Sequence, residues 1–125
     1  MTTDSPLVDF TRRGAGGWLT LNRPRRRNAL TPQLIQDLHH GLDACDDDPR
    51  VRAVVITGAG DAFCAGADLD YFLGKLGEPD GCASFTAELL EPLWSVLRRL
   101  RDGGRPVIAA VNGACFAGGV ELLVC

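Results

Sequence analysis

Two stretches of this chain follow one plan: an apolar run, a glycine-rich loop, and the opening of a helix. The later one, Pro106-Val-Ile-Ala-Ala-Val-Asn-Gly-Ala-Cys-Phe-Ala-Gly-Gly-Val-Glu121, constrains the fold most. Val107 to Val111 is a nearly continuous apolar run between Gly103-Gly104 and Asn112-Gly113, the pattern of a buried strand. Gly118-Gly119 then opens Val120-Glu121-Leu122-Leu123-Val124, which reads as the first turns of a helix. Glycines let another group approach the backbone, and the first amides of a helix have no partner inside it. A developing negative oxygen is well placed there. Glu121, about one turn in and among apolar neighbours, is expected to be partly desolvated and suited to proton transfer.

The earlier stretch is Val54-Val-Ile-Thr-Gly-Ala-Gly-Asp-Ala-Phe-Cys-Ala-Gly-Ala-Asp68-Leu69. Here the apolar strand Arg52 to Thr57 runs into a glycine-rich loop and then a helical start near Asp68. Two such loops can pinch one oxygen between their free amides. Gly58-Ala-Gly60 after a strand invites a dinucleotide-binding reading, but the third glycine of that fingerprint is absent: position 63 is Phe.

Before these stretches, Leu7 to Phe10 and Trp18 to Leu21 read as two strands joined through Gly14-Ala-Gly-Gly, a hairpin. Thr31-Pro32 is a helix start, a hydroxyl cap followed by proline. Leu34, Ile35, Leu38, Leu42 and Cys45 then share one face of a helix ending in Asp46-Asp-Asp-Pro49. Residues 70–83 mix glycine, proline and charge and read as a lid or connector after a short helix. Helical spacing resumes at Ser84, with Phe85, Leu89, Leu93, Leu97 and Leu100 as one stripe and Pro92 as a point that must kink or divide it. Arg98, Arg99 and Arg101 suit the negative end of that helix.

Several function classes recede on composition. The net charge of -3 gives no global attraction to nucleic acid, and Arg23-Pro-Arg-Arg-Arg27 is one short basic run without interleaved aromatics. No apolar run reaches membrane-spanning length, and Met1-Thr-Thr-Asp-Ser-Pro lacks the features of a signal peptide, so a cytoplasmic protein with no membrane partner is expected. Five cysteines, without CxxC spacing, favour neither a disulfide framework nor a metal site, and His39-His40 read as surface residues. Cys64 and Cys115 precede the two loops, yet no His lies near them in sequence to activate a thiol nucleophile.

Leu21-Asn-Arg-Pro with Asn28-Ala-Leu30, then Ile56-Thr-Gly through Phe63-Cys-Ala-Gly-Ala-Asp-Leu69, then Pro106 to Gly113 with Gly118-Gly-Val-Glu121, occur in an order that resembles the amino-terminal half of the crotonase superfamily, typified by enoyl-CoA hydratase. The resemblance implies an α/β fold, a crotonase-like beta-beta-alpha spiral. Residues 1-125 are then expected to form a partial domain, ending before the family's second catalytic glutamate and its C-terminal trimerisation helices.

By that resemblance the ligand is an acyl-CoA thioester, coenzyme A being part of the substrate and no separate cofactor being needed, in the setting of fatty acid metabolism. The backbone amides of Ala67 and Gly118 would hold the thioester oxygen. Glu121 would help activate water. Ala65, Gly66, Asp68, Leu69 and Gly119 would line the substrate, and Arg25, Arg26 and Arg27 would lie near the nucleotide end. Hydratases often carry a basic residue where this chain has Asp70, which weakens that phosphate contact. A homotrimer or dimer of trimers is implied. Isomerases, hydrolases, dehalogenases and decarboxylases share the loops but differ in their acids and bases, and Glu121 favours the hydratase. A non-catalytic acyl-CoA-binding or assembly chain is the alternative from another class.

Overall fold

The computed structural model describes residues 5–124, so the readings over Met1–Asp4 and at Cys125 lie outside it. β1 (Val8–Arg13) and β2 (Gly16–Leu21) pair antiparallel, with Val8 opposite Leu21 and Arg13 opposite Gly16. The turn is shorter than expected. Gly14 takes φ +57° at its tip, whereas Gly16 and Gly17 already belong to β2. Gly17 faces Cys45 and Val51 so closely that a Cβ would stand 2.7 Å from the Cys45 sulfur.

Thr31 caps α1 (Pro32–Asp47), its Oγ1 accepting from the Leu34 amide at 3.2 Å. The expected stripe is the buried one: Leu34, Ile35, Leu38, Leu42 and Cys45 pack on the sheet with Leu19 and Leu21. At residue scale, fully burying such a side chain is worth about 1.5–3 kcal/mol, so this one face supplies much of the core. β3 (Ala53–Gly58) then enters parallel to β2, and β5 (Val107–Ala109) pairs parallel with β3, giving the order β1-β2-β3-β5. A second, two-stranded parallel sheet joins β4 (Ala62–Cys64) to β6 (Ala114–Cys115).

Between them run α2 (Leu69–Leu76), α3 (Gly81–Phe85), a π-helical turn over Thr86–Leu90, and α4 (Glu91–Asp102). The connector over residues 70–83 is thus largely helical. Pro92 explains the π turn: it has no N–H for the preceding turn and its ring crowds it, so the chain widens just before and Glu91 N–H reaches back to Thr86 O. Leu89, Leu93, Val96 and Leu100 are buried against α1, while Leu97 is only partly so.

Two expectations need correction. The β5 strand is three residues long and Ile108 and Val111 are 52% and 49% exposed, because β5 is the sheet edge and has a strand on one side only. His39 is more than a surface residue: its ring lies 3.3 Å from Pro92 O and 3.1 Å from the Arg99 guanidinium, linking α1 to α4. Arg99 lies in the last turn of α4 as expected, and it also pairs with Asp43 and Asp46 at 2.8 and 3.1 Å, so it joins the two helices as well.

Candidate active site

The first loop is set by the segment Arg27–Leu30. Ala65 N–H donates to Arg27 O (3.0 Å), Leu30 N–H to Gly66 O (2.7 Å), and Asp68 N–H to Leu30 O (2.9 Å). Successive amides of an extended chain point in opposite directions, so with Gly66 O and Asp68 N turned towards Leu30, the Ala67 N–H turns away. Behind this segment Asn28, fully buried and at φ +55°, accepts from Arg23 N–H and donates to Ala59 O and Ala62 O. The Asn28-Ala-Leu30 motif is therefore the clamp for the loop.

Asp68 closes the loop and starts α2. Its carboxylate accepts from Tyr71 N–H at 2.9 Å and from Arg23 at 2.9 Å, with Arg26 at 3.5 Å. Burial by itself would raise this carboxyl, but the Tyr71 amide and the two guanidiniums outweigh it and hold it below the usual range. Asp68 is turned inward to these partners and does not line the cavity described below. Arg26 also pairs with Asp70, whereas Arg25 and Arg27 are exposed with no acidic partner among the described residues.

The second loop leaves β6 and enters α5 (Gly118–Val124) through Ala117 at φ +47°. Gly119 N–H returns to Phe116 O and the Val120 and Glu121 amides to Ala117 O, leaving the Gly118 amide ahead of the helix ladder. Among the described residues neither the Ala67 nor the Gly118 amide has a hydrogen-bond partner. The two loops touch: a Cβ on Gly66, which has φ +90°, would lie 2.9 Å from Ala117 Cβ and 3.4 Å from Gly118 N. Gly119 is buried against Cys64 and does not reach the cavity.

A cavity of about 460 Å³ opens where the loops meet, lined by Leu30, Ala65, Ala67, Leu69, Phe72, Phe85, Leu89, Leu90, Leu93, Ala117, Gly118 and Glu121. Of the residues singled out in the sequence, Ala65, Ala67, Leu69, Gly118 and Glu121 come together here. Glu121 is not desolvated as expected: its side chain lines the cavity but is exposed. Phe85, Leu89 and Leu93 were missed as lining residues because their helical stripe is equally the mark of a core face, and Phe72 was missed because it lies in the stretch read as a connector. Another depression of about 390 Å³ near the end of α4 is lined by charges that pair with each other, Asp46 with both Arg99 and Arg105.

The thiols beside the loops are poor nucleophiles. Burial pushes Cys64 up to about 11 and raises Cys115 as well.

A strand–glycine loop–helix unit occurring twice, with both loops lining one apolar cavity, is the arrangement of the crotonase fold. The chain belongs to the enoyl-CoA hydratase/isomerase family, whose model matches residues 15–125. It is 41% identical over 111 residues to a probable enoyl-CoA hydratase of Mycobacterium tuberculosis, covering 83% of this chain and 38% of that protein. It is 42% identical over 108 residues to a mevalonyl-coenzyme A hydratase of Beauveria bassiana, with coverage of 83% and 38%. The enoyl-CoA hydratase structure from Polaromonas sp. JS666 superposes with a TM-score of 0.83 at 36% identity, over 94% of this chain and 45% of that one. The chain thus spans about two fifths of the length of these curated relatives.

Proposed function

We propose that this protein adds water to the 2,3 double bond of an enoyl-CoA thioester. The observation that carries the reading is the pair of unpartnered amides, Ala67 and Gly118, brought together at an apolar cavity that also holds Glu121. A thioester oxygen accepting from both would be stabilised as water adds to C3 and charge moves onto it as an enolate. A single such donor is worth about a hundredfold to a thousandfold in rate. Glu121 takes a proton from the attacking water, and proton return to C2 completes the addition. The acyl chain lies among Leu69, Phe72, Phe85 and Leu93, and Arg25 and Arg27 meet the phosphates at the nucleotide end. Coenzyme A arrives with the substrate, so no separate cofactor enters, and a homotrimer is the proposed assembly.

Support for a second reading comes from the same lining. Its apolar walls and two amides would hold an acyl-CoA whether or not a proton is then moved, so a binding chain would show the same lining. Hydration of crotonyl-CoA, followed by loss of the enoyl absorbance, separates the two. The hydratase reading expects turnover that falls about a hundredfold or more in Glu121→Gln. Background rates in both proteins, with butanoyl-CoA still bound, would establish the binding chain instead.

A further inference from the structure

Beyond the main cavity lies a second one, of about 180 Å³, lined by Phe72, Lys75, Leu76, Cys82, Phe85 and Thr86 together with Gly81. Phe72 and Phe85 line both cavities. Their rings meet edge to face, with centroids 5.3 Å apart and planes at 74°, so this aromatic pair is the wall between the two spaces. Tyr71 braces the wall from the side, its ring centroid 5.9 Å from that of Phe85.

The far cavity has the chemistry of a hydrocarbon site. Lys75, its one charged lining residue, has its ammonium drawn away to Ser84 and Glu88, each at 2.8 Å, and to Glu78 at 3.3 Å. What it offers the cavity is its methylene stem. Leu76 and Cys82 are exposed at the outer end, so the space leads towards solvent rather than ending in the core.

We infer that the Phe72–Phe85 pair is the chain-length gate of the acyl site, limiting the protein to short acyl groups and closing off a second apolar compartment that would take a longer tail. This rests on the acyl-CoA reading above. The physical argument is continuity: an acyl chain whose thioester oxygen sits at Ala67 and Gly118 extends along Leu69, Leu89 and Leu93 and meets the aromatic pair before it can reach Leu76. Each further methylene buried in an apolar site strengthens binding about fourfold, so a wall that stops burial also stops the gain. α2 carries Phe72 and α3 ends in Phe85, so two short helices set the length.

The test is isothermal titration of the protein with the saturated esters butanoyl-CoA and octanoyl-CoA, which bind without reacting. The readout is the ratio of the two affinities within each protein. The wild-type ratio is expected near one. Phe72→Ala and Phe85→Ala, separately, should each shift it at least tenfold towards octanoyl-CoA, and Phe72→Leu, which keeps an apolar plug, by less. A wild-type protein that already prefers octanoyl-CoA by the full methylene increment, or alanine variants with an unchanged ratio, overturns the gate and leaves the acyl-CoA reading intact. Failure of the wild-type protein to bind either ester overturns that reading and the gate with it. Butanoyl-CoA binding in each variant reports that the cavity has folded.

Discussion

The two glycine loops share a plan and differ in what holds them. The loop after β4 is tied by three backbone hydrogen bonds to Arg27–Leu30, and its last residue, Asp68, is fixed by Tyr71 N–H and Arg23. The loop after β6 has one bond back to the first, Phe116 N–H to Cys64 O at 3.0 Å, and is otherwise located by fit: Gly118 against Leu30 and Gly119 against Cys64. The first loop is a reference frame made of polar contacts, and the second is positioned by having no side chain where it touches the first. Two amides meant for one oxygen need both kinds of restraint, because a small lateral shift of either loop separates them.

The strongest way to break that contrast is Gly119→Ala. The new methyl would collide with the Cys64 backbone carbonyl, which cannot swing aside, so α5 and the Gly118 amide must move. Turnover of crotonyl-CoA, as kcat/KM, is expected to fall about a hundredfold or more. Gly118→Ala should cost less, since its methyl meets Leu30 Cδ1 at 2.8 Å, the end of a flexible side chain. Equal losses would show that steric fit is not what locates the second loop.

For the first loop the corresponding change is Asn28→Ala, which takes the side-chain partner from Arg23 N–H and Ala59 O and leaves Ala62 O with Asn112 alone. Urea denaturation should show about 3 kcal/mol of lost stability, at the upper end for a single polar deletion. A loss below about 1 kcal/mol would mean that the clamp is not polar in origin.

Asp68 gives the contrast a pH dependence. Its carboxyl is held below the usual range in the folded chain, so the unfolded state binds the proton more readily as pH falls through the ordinary carboxyl range. The stabilisation is therefore complete above that range and is lost as pH falls through the lowered folded value. Asp68→Asn should flatten the acid limb of the stability curve between about pH 5 and 2, leaving the neutral region with a constant deficit. An unchanged acid limb would place the pH-sensitive restraint elsewhere.

The smallest effect is expected at the rim. Asp70 pairs with Arg26 beside the unpaired Arg25 and Arg27, and both members of the pair are exposed. Asp70→Asn should leave Arg26 with only its longer contact to Asp68 and tighten coenzyme A binding about two- to fivefold at low salt, with the gain vanishing as salt rises. Arg26→Ala should then matter in the Asp70→Asn background and little in the wild type.

Much of this arrangement was legible in the residues. Thr31-Pro32 with the Leu34, Ile35, Leu38, Leu42, Cys45 stripe defines α1 because capping and 3.6-residue periodicity are local properties. The hairpin and the two strand–loop–helix units were equally local. What misled the reading was exposure. Val107 to Val111 has the composition of a buried strand, but whether Ile108 is covered depends on which strand lies beyond β5, not on Ile108 itself. Glu121 was expected to be desolvated by its sequence neighbours, whereas on a helix those neighbours point elsewhere.

The sequence by itself determined the hairpin, α1, the two strand–loop–helix units and the family, since glycine placement, capping and apolar period act over a few residues; the second sheet of β4 and β6 and the helix α3 came only with the tertiary structure. Only the tertiary structure decided which amides remain unpaired and which aromatics wall the cavity. Ala67 is free because Leu30 takes the groups on either side of it, and Phe72 meets Phe85 because two helices fold back on one another. Those facts depend on contacts between segments distant in sequence, which no local pattern encodes.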